Sequence, residues 1–345
     1  MKELVKPQAL RPGDKVAAVS LSWGGAGDAH LLWRYRAGKK RLGEVFGLEV
    51  VEMEHTLCGS AYLYEHPQAR AADLMAAFAD PSIKAIFSCI GGEESVRMLP
   101  FIDFDVIRRN PKIFIGYSDT TIAHLICHKA GLSSFYGPSI LAELAENIEI
   151  FDYTQKWLQK TLFCTAPLGE IEPAPAWTGE RLEWSEENAQ TQKKLQKNTG
   201  YELLQGKGIA RGRLIGGCIE VLEMAKGTAL WPEKSDFDGA ILFFESSEEM
   251  PEPRSIEYWL RNYGSQGILQ GASALLFGKP YQGRFYEEYR RAILKITAEL
   301  GLGELPILYN LSFGHNEPMC TLPYGALAEL NCEKRSFSIL EAGVC

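Results

Sequence analysis

Ile113-Phe114-Ile115-Gly116-Tyr117-Ser118-Asp119-Thr120-Thr121 is a short apolar run that ends at glycine and opens into the helical pattern of residues 120–129. Such a run reads as a strand that turns directly into a helix. The same unit recurs upstream. Lys15 to Leu21 (K-V-A-A-V-S-L) runs into Trp23-Gly24-Gly25-Ala26-Gly27, and Ile83 to Ile90 runs into Gly91-Gly92. Residues 68–79 have the spacing of an amphipathic helix that stops at Asp80-Pro81, and Gly131 follows the 120–129 pattern where a helix cap belongs. Repeated strand-to-helix alternation predicts an α/β fold, with a mostly parallel N-terminal sheet flanked by helices.

The pattern changes near residue 167. Pro167, Pro173 and Pro175 lie close together, and residues 180–200 are polar apart from Trp184 and a few others. Beyond Gly206, apolar runs at 213–219, 239–245, 273–277 and 305–311 alternate with glycines, and 254–264 and 285–300 read as helices. The expected organisation is an α/β domain over 1–168, a linker and substrate loop over 169–205, and a smaller β-rich domain over 206–345. The length of 345 residues suits two domains at roughly 150 residues each.

Composition narrows the function classes. Apolar types make up 46% and charged types 23%, ordinary for a folded enzyme-sized chain. The net charge of -8 argues against a nucleic-acid polymer as partner. No run of about 18 apolar residues suggests a membrane span, and the opening stretch Met1 to Pro7 lacks the apolar core of a signal peptide. The cysteines (58, 89, 127, 164, 218, 320, 332 and 345) form no CxxC pair. Their scatter suggests reduced thiols in a cytoplasmic protein, with no zinc site.

Ser118 stands at a strand-to-helix corner, where a hydroxyl projects from rigid backbone and the Asp119 N–H is free to face an oxyanion. The full G-x-S-x-G pattern is not met, because Thr120 replaces the second glycine. The plainer reading is that Ser118 or Thr120 caps the helix. A nucleophile needs a base and an orienting acid. His124 and His128 share a helix face, but without a third ligand they read as packing groups. His315 lies in the loop Gly314-His315-Asn316-Glu317 and is the better base, or else an exposed histidine. Glu245 closes the run 239–245, with Glu248 and Glu249 as competing acids. Gly91-Gly92 can bring backbone amides close to a ligand. Neither G-x-G-x-x-G nor a phosphate loop is present. Trp177 and Trp184 are either loop anchors or the wall of a ligand site.

In order along nearly the whole chain come Ile90-Gly91-Gly92, Asn110 to Thr121, Phe135-Tyr136-Gly137-Pro138, Gly212 to Gly217, Leu242-Phe243-Phe244-Glu245, Gly314-His315 and Leu322-Pro323-Tyr324-Gly325. This set resembles the serine peptidase family that contains the LD-carboxypeptidases and the microcin C resistance (self-immunity) peptidases. The resemblance implies Ser118 as nucleophile, His315 as base, Glu245 as its orienting acid, and Gly92 and Asp119 as oxyanion amides, with Gly91 beside the substrate. It implies a site between two domains, a homodimer, and no metal or other cofactor. Trp177-Thr178-Gly179 and Leu182-Glu183-Trp184 resemble the microcin-resistance branch, in which a tryptophan matching Trp184 stacks on a nucleotide base. The implied substrate is a small peptide or aminoacyl-nucleotide. The rival expectations are an L,D-carboxypeptidase acting on muropeptides and a non-catalytic binding protein. Cys218, where asparagine usually follows Ile-Gly-Gly, and the residues around His315 depart from the branch pattern and bear on substrate choice.

Overall fold

The computed structural model describes residues 3–345; the first two residues of the stretch read above for a leader lie outside it. The first half supplies β1 (Lys15–Val19), β2 (Glu49–Glu52), β3 (Ile83–Ser88), β4 (Ile113–Gly116) and β5 (Phe135–Tyr136). β1, β3 and β4 are almost wholly buried, as parallel strands covered on both faces must be. All five are parallel, in the order β5-β4-β3-β1-β2. The helix Pro67–Ala79 starts on proline, one residue before the expected 68, and stops at Asp80 as expected; the helix Thr121–Ala130 ends at left-handed Gly131, also as expected.

The segment expected to be a linker carries β6 (Gly169–Glu170), β7 (Ala176–Trp177), β8 (Gln196–Lys197) and β9 (Glu202–Gln205). The last part of the chain adds β10 (Ile209–Cys218), β11 (Ile241–Glu245), β12 (Ala274–Gly278), β13 (Ile307–Leu311), β14 (Leu322–Pro323), β15 (Leu327–Asn331) and β16 (Ser336–Ile339). The second sheet has the order β6-β16-β15-β10-β11-β12-β13-β9. Its four central strands, β10 to β13, are parallel, and antiparallel strands extend both edges. The fold is thus α/β, with a helix-flanked N-terminal sheet and a distinct, strand-rich C-terminal sheet.

Two features cut across the expected boundaries. β14, far along the chain, joins the first sheet beside β5. β6 and β9, within the expected linker, pair with β16 and β13. Two-residue edge strands carry no period, so nothing in their sequence marks them. One buried cluster also runs across the seam, joining Phe114, Ile122 and Leu125 to Leu214, Phe243 and Tyr324. Among the described residues no helix is long and apolar enough to cross a membrane.

The packing is tight at Gly217, on the seam, and at Gly216, between two strands of the second sheet. A Cβ on Gly216 would fall 1.7 Å from the Phe243 carbonyl oxygen of β11, and one on Gly217 would meet the Thr121 side chain at 2.7 Å. Gly216→Ala should therefore lower unfolding free energy by about 3 kcal/mol, read from a shifted urea midpoint at unchanged slope.

Candidate active site

β4, β11 and β13 point their carboxyl ends at one cavity, the usual place for a site in a parallel sheet. Ser118 follows β4, Glu245 ends β11, and His315 lies just after β13. A cavity of about 970 Å³ opens there, lined among others by Gly91, Gly92, Ser118, Trp184, Glu248 and His315.

Ser118 has a φ of 62°, in the left-handed region that a non-glycine residue enters at a cost of about 1–3 kcal/mol. The turn is held rather than relaxed. The Ser118 N–H donates to the Tyr136 hydroxyl at 3.2 Å, and Thr120 Oγ1 donates to the Tyr117 carbonyl at 2.6 Å. Thr120 thus does the local tethering, and the Ser118 hydroxyl faces the cavity. The helix-capping reading of Ser118 is not what the structure shows: no side-chain cap bond is made at either helix start.

Ser118 Oγ lies 3.0 Å from His315 Nε2, and His315 Nδ1 lies 2.7 Å from Glu245 Oε2. The Nδ1–H donated to the carboxylate leaves Nε2 of the neutral ring free to accept the serine proton. Glu245 is 2% exposed, and its second oxygen accepts the Tyr136 O–H. Burial, reinforced by the Glu245 charge, pushes the Tyr136 phenol well above its ordinary range, so it stays a donor. Gly314 sits at φ 95°, and a Cβ there would meet Glu245 Oε2 at 2.7 Å. Glycine before His315 is what lets the acid and base approach.

The imidazole carries a second carboxylate. Glu248 Oε2 lies 3.0 Å from His315 Nε2. Burial disfavours the imidazolium, but Glu245 and then Glu248 outweigh it and hold His315 well above its usual range. In return, His315 outweighs the burial of Glu248 and draws its carboxyl down to about 2.

Gly91 and Gly92 form the facing wall. A Cβ on Gly91 would lie 2.9 Å from Ser118 Oγ and 3.3 Å from the Asp119 nitrogen. Gly92, at φ 146°, leaves no room for a side chain against Ser22 and Trp23. Asp119 is buried, and its carboxylate accepts the Ser95 N–H while its carbonyl accepts the Ser95 hydroxyl, both at 2.7 Å. Asp119 thereby ties the segment after Gly92 to the nucleophile turn.

The two tryptophans part company. Trp184 lines the cavity, with the Arg34 guanidinium 4.5 Å over its ring and Trp23 beside it at 6.4 Å and 22°. Trp177 is a correction to the sequence expectation. It pairs within the small β7-β8 ribbon, its ring lies over Lys279 Nζ at 4.4 Å, and it is not part of the cavity lining. It acts as a loop anchor. His124 is buried, its Nε2 bonded to the Gly116 carbonyl and its Nδ1 to Ser134 Oγ, each at 2.9 Å. Burial pulls it down to about 3, so it supports β4 as a neutral ring. Cys218 is buried beyond the lining and faces Glu220. Among the described residues no three His, Cys, Asp or Glu side chains converge as metal ligands.

The polar loop is pinned by Lys193. Its Nζ lies 2.5 Å from both Glu146 and Glu317, with 8% of the side chain exposed. Backbone bonds between Thr178 and Glu317 close the same corner. One lysine cannot balance this acidic cluster. Burial pushes the Glu317 carboxyl up to about 8, with Lys193 opposing and Glu146 and Glu143 adding to the rise. Sequence reading missed Tyr136 as a node, along with Lys193 and Trp23. Tyr136 is placed by its pairing with Gly116 across β4 and β5, which no local motif encodes.

The elbow, the hydrogen-bonded Ser–His–Glu chain and the glycine wall define a serine hydrolase. The sequence profile of the LD-carboxypeptidase N-terminal domain matches residues 16–137, and that of the LD-carboxypeptidase C-terminal domain matches residues 211–330. The chain belongs to the LD-carboxypeptidase family. It is 33% identical to the microcin C7 self-immunity protein MccF of Escherichia coli over 76% of this chain and 75% of that one. The fold matches a MccF-like protein from Streptococcus pneumoniae, solved in complex with AMP, at a TM-score of 0.88 and 33% identity, covering 95% and 98% of the two chains. It also matches MccF in complex with aspartyl sulfamoyl adenosine at 0.87 and 29% identity, covering 99% and 100%. The similarity is to the self-immunity branch.

Two outcomes test this geometry. Tyr136→Phe removes a bond to a buried carboxylate, worth about 1.5–3 kcal/mol. It should lower kcat/KM roughly 10- to 100-fold while the circular dichroism spectrum is unchanged. Lys193→Met leaves two buried carboxylates without their cation and should cost about 3 kcal/mol in denaturant unfolding at pH 8. That loss should shrink as pH falls below about 8, because Glu317 then takes up a proton and no longer needs the cation.

Proposed function

We propose that this protein is a serine peptidase that hydrolyses the amide bond joining an aminoacyl group to a nucleotide-like leaving group, as in detoxification of a microcin C-type compound. One observation carries the reading. Trp184 presents its indole to the same cavity as the Ser118–His315–Glu245 chain. An aromatic face suits a nucleobase, and stacking contributes about 1–3 kcal/mol. The relatives bound to AMP and to aspartyl sulfamoyl adenosine support it.

In this reading Ser118 Oγ attacks the aminoacyl carbonyl as His315 Nε2 takes its proton. Glu245 holds the ring and balances the imidazolium. The oxyanion is received by the Gly92 and Asp119 N–H groups, at about 3 kcal/mol per donor. His315 then gives its proton to the departing nitrogen, and water hydrolyses the acyl-enzyme. Ser118, Glu245 and His315 are the catalytic residues; Gly91 and Trp184 contact substrate. The reading includes a cytoplasmic homodimer, no cofactor and no nucleic-acid polymer as partner.

The test offers an aminoacyl sulfamoyl adenosine and a muramoyl tetrapeptide ending in D-Ala, with products read by mass spectrometry. Release of sulfamoyl adenosine, with the tetrapeptide intact, is expected. Ser118→Ala should lower turnover by roughly 10⁴-fold or more, and Trp184→Ala should raise KM roughly tenfold. Release of D-Ala instead would make the protein an L,D-carboxypeptidase and leave Trp184 a loop anchor.

A further inference from the structure

Glu248 has no part in the Ser–His–Glu chain, yet its carboxylate sits on the one nitrogen that chain needs free. His315 Nε2 is 3.0 Å from Ser118 Oγ and equally 3.0 Å from Glu248 Oε2. While an Nε2–H donates to Glu248, that nitrogen cannot take the serine proton. The position of Glu248 is built. Glu220 is half-buried and accepts both the N–H and the O–H of Ser247 at 2.8 Å, which fixes the segment that carries Glu248.

Three other carboxylates of the cavity have partners of their own. Glu94 pairs with Arg97 and Arg70, Glu143 accepts the Tyr117 hydroxyl, and Glu317 pairs with Lys193. Glu248 has Arg181 at 3.8 Å, a side chain 58% exposed, and otherwise the imidazole itself. A carboxylate one imidazole nitrogen from the nucleophile, with the reaction's own base as its main counter-ion, is a place for a cation brought by substrate. The substituent closest to an attacked aminoacyl carbonyl is the one on its α-carbon.

We propose that Glu248 is the specificity-determining residue that receives the free α-ammonium of the aminoacyl group and, in doing so, releases His315 to act as base. This rests on the aminoacyl-nucleotide reading above. The exchange balances in charge: the substrate ammonium arrives as counter-ion to Glu248, and the Nε2 proton leaves to water. The groups facing the imidazole are Glu245, Glu248, Ser118 and the Tyr117 ring; Arg181 faces Glu248. An N-acylated substrate has no cation to offer and meets an occupied base.

The test compares leucyl sulfamoyl adenosine with its N-acetyl form, on wild type and Glu248→Gln, across pH. Wild type should prefer the free amine by roughly a hundredfold in kcat/KM. Glu248→Gln should bring the two substrates within a few-fold of each other. It should also move the acid limb of kcat/KM to lower pH, because the imidazolium loses one of its two carboxylates. A merely structural Glu248 would lower both rates together and leave the limb in place. Equal cleavage of both forms by wild type, or an unchanged ratio in Glu248→Gln, overturns the inference alone. Cleavage of neither form by wild type overturns the nucleotide reading and this inference with it.

Discussion

The contact between His315 and Glu245 is the constraint on which the rest of the structure depends. Glu245 ends β11 and His315 follows β13 of the second sheet, while Ser118 follows β4 of the first. The chain is therefore only as good as the registration of two sheets. Across the seam Gly217 comes close against the Thr121 side chain, while within the second sheet Gly216 lies against Phe243 and Gly314 against Glu245. Tyr136 adds a hydroxyl that touches both sides at once, accepting from the Ser118 N–H and donating to Glu245. Packing alone would leave such a seam adaptable. A directional bond across it fixes the distance between nucleophile and acid.

The electrostatics of the cavity follow from the same enclosure. Burial penalises every charge placed there, so each carboxylate needs a partner or a proton. Glu245 and Glu248 share the imidazole, Glu146 and Glu317 share Lys193, and Glu143 has the Tyr117 hydroxyl. The loop that carries Trp184 is thus held by the same acidic corner that flanks the base. Its anchor on the other side is the stacked Trp177–Lys279 pair, and Arg34 backs the Trp184 ring from beneath. The Trp184 loop and the imidazole are thus both held by charges that had to be neutralised in any case.

Much of the architecture was legible in the chain. β1, β3 and β4 are continuous apolar runs because both their faces are covered, and burial of that kind leaves a signature in composition. The strand-to-glycine-to-helix corner at Ser118, the pair Gly91-Gly92 and the loop histidine His315 were legible for a similar reason: each answers a local backbone or chemical demand. The sequence by itself therefore determined the elements, the corner and the residue types able to do acyl chemistry. The tertiary structure alone decided which of them meet. It chose Glu245 over Glu249 for Nδ1, and brought Glu248 to Nε2. It put Tyr136 beneath both catalytic groups and separated Trp184 from Trp177, which look alike as aromatics in a polar segment. It also drew β14 into the first sheet and β6 and β9 into the second. Those choices depend on strand pairing and on neighbours more than a hundred residues away, such as Ser118 and His315. Periodicity and local propensity, which act over one element at a time, carry no information about them.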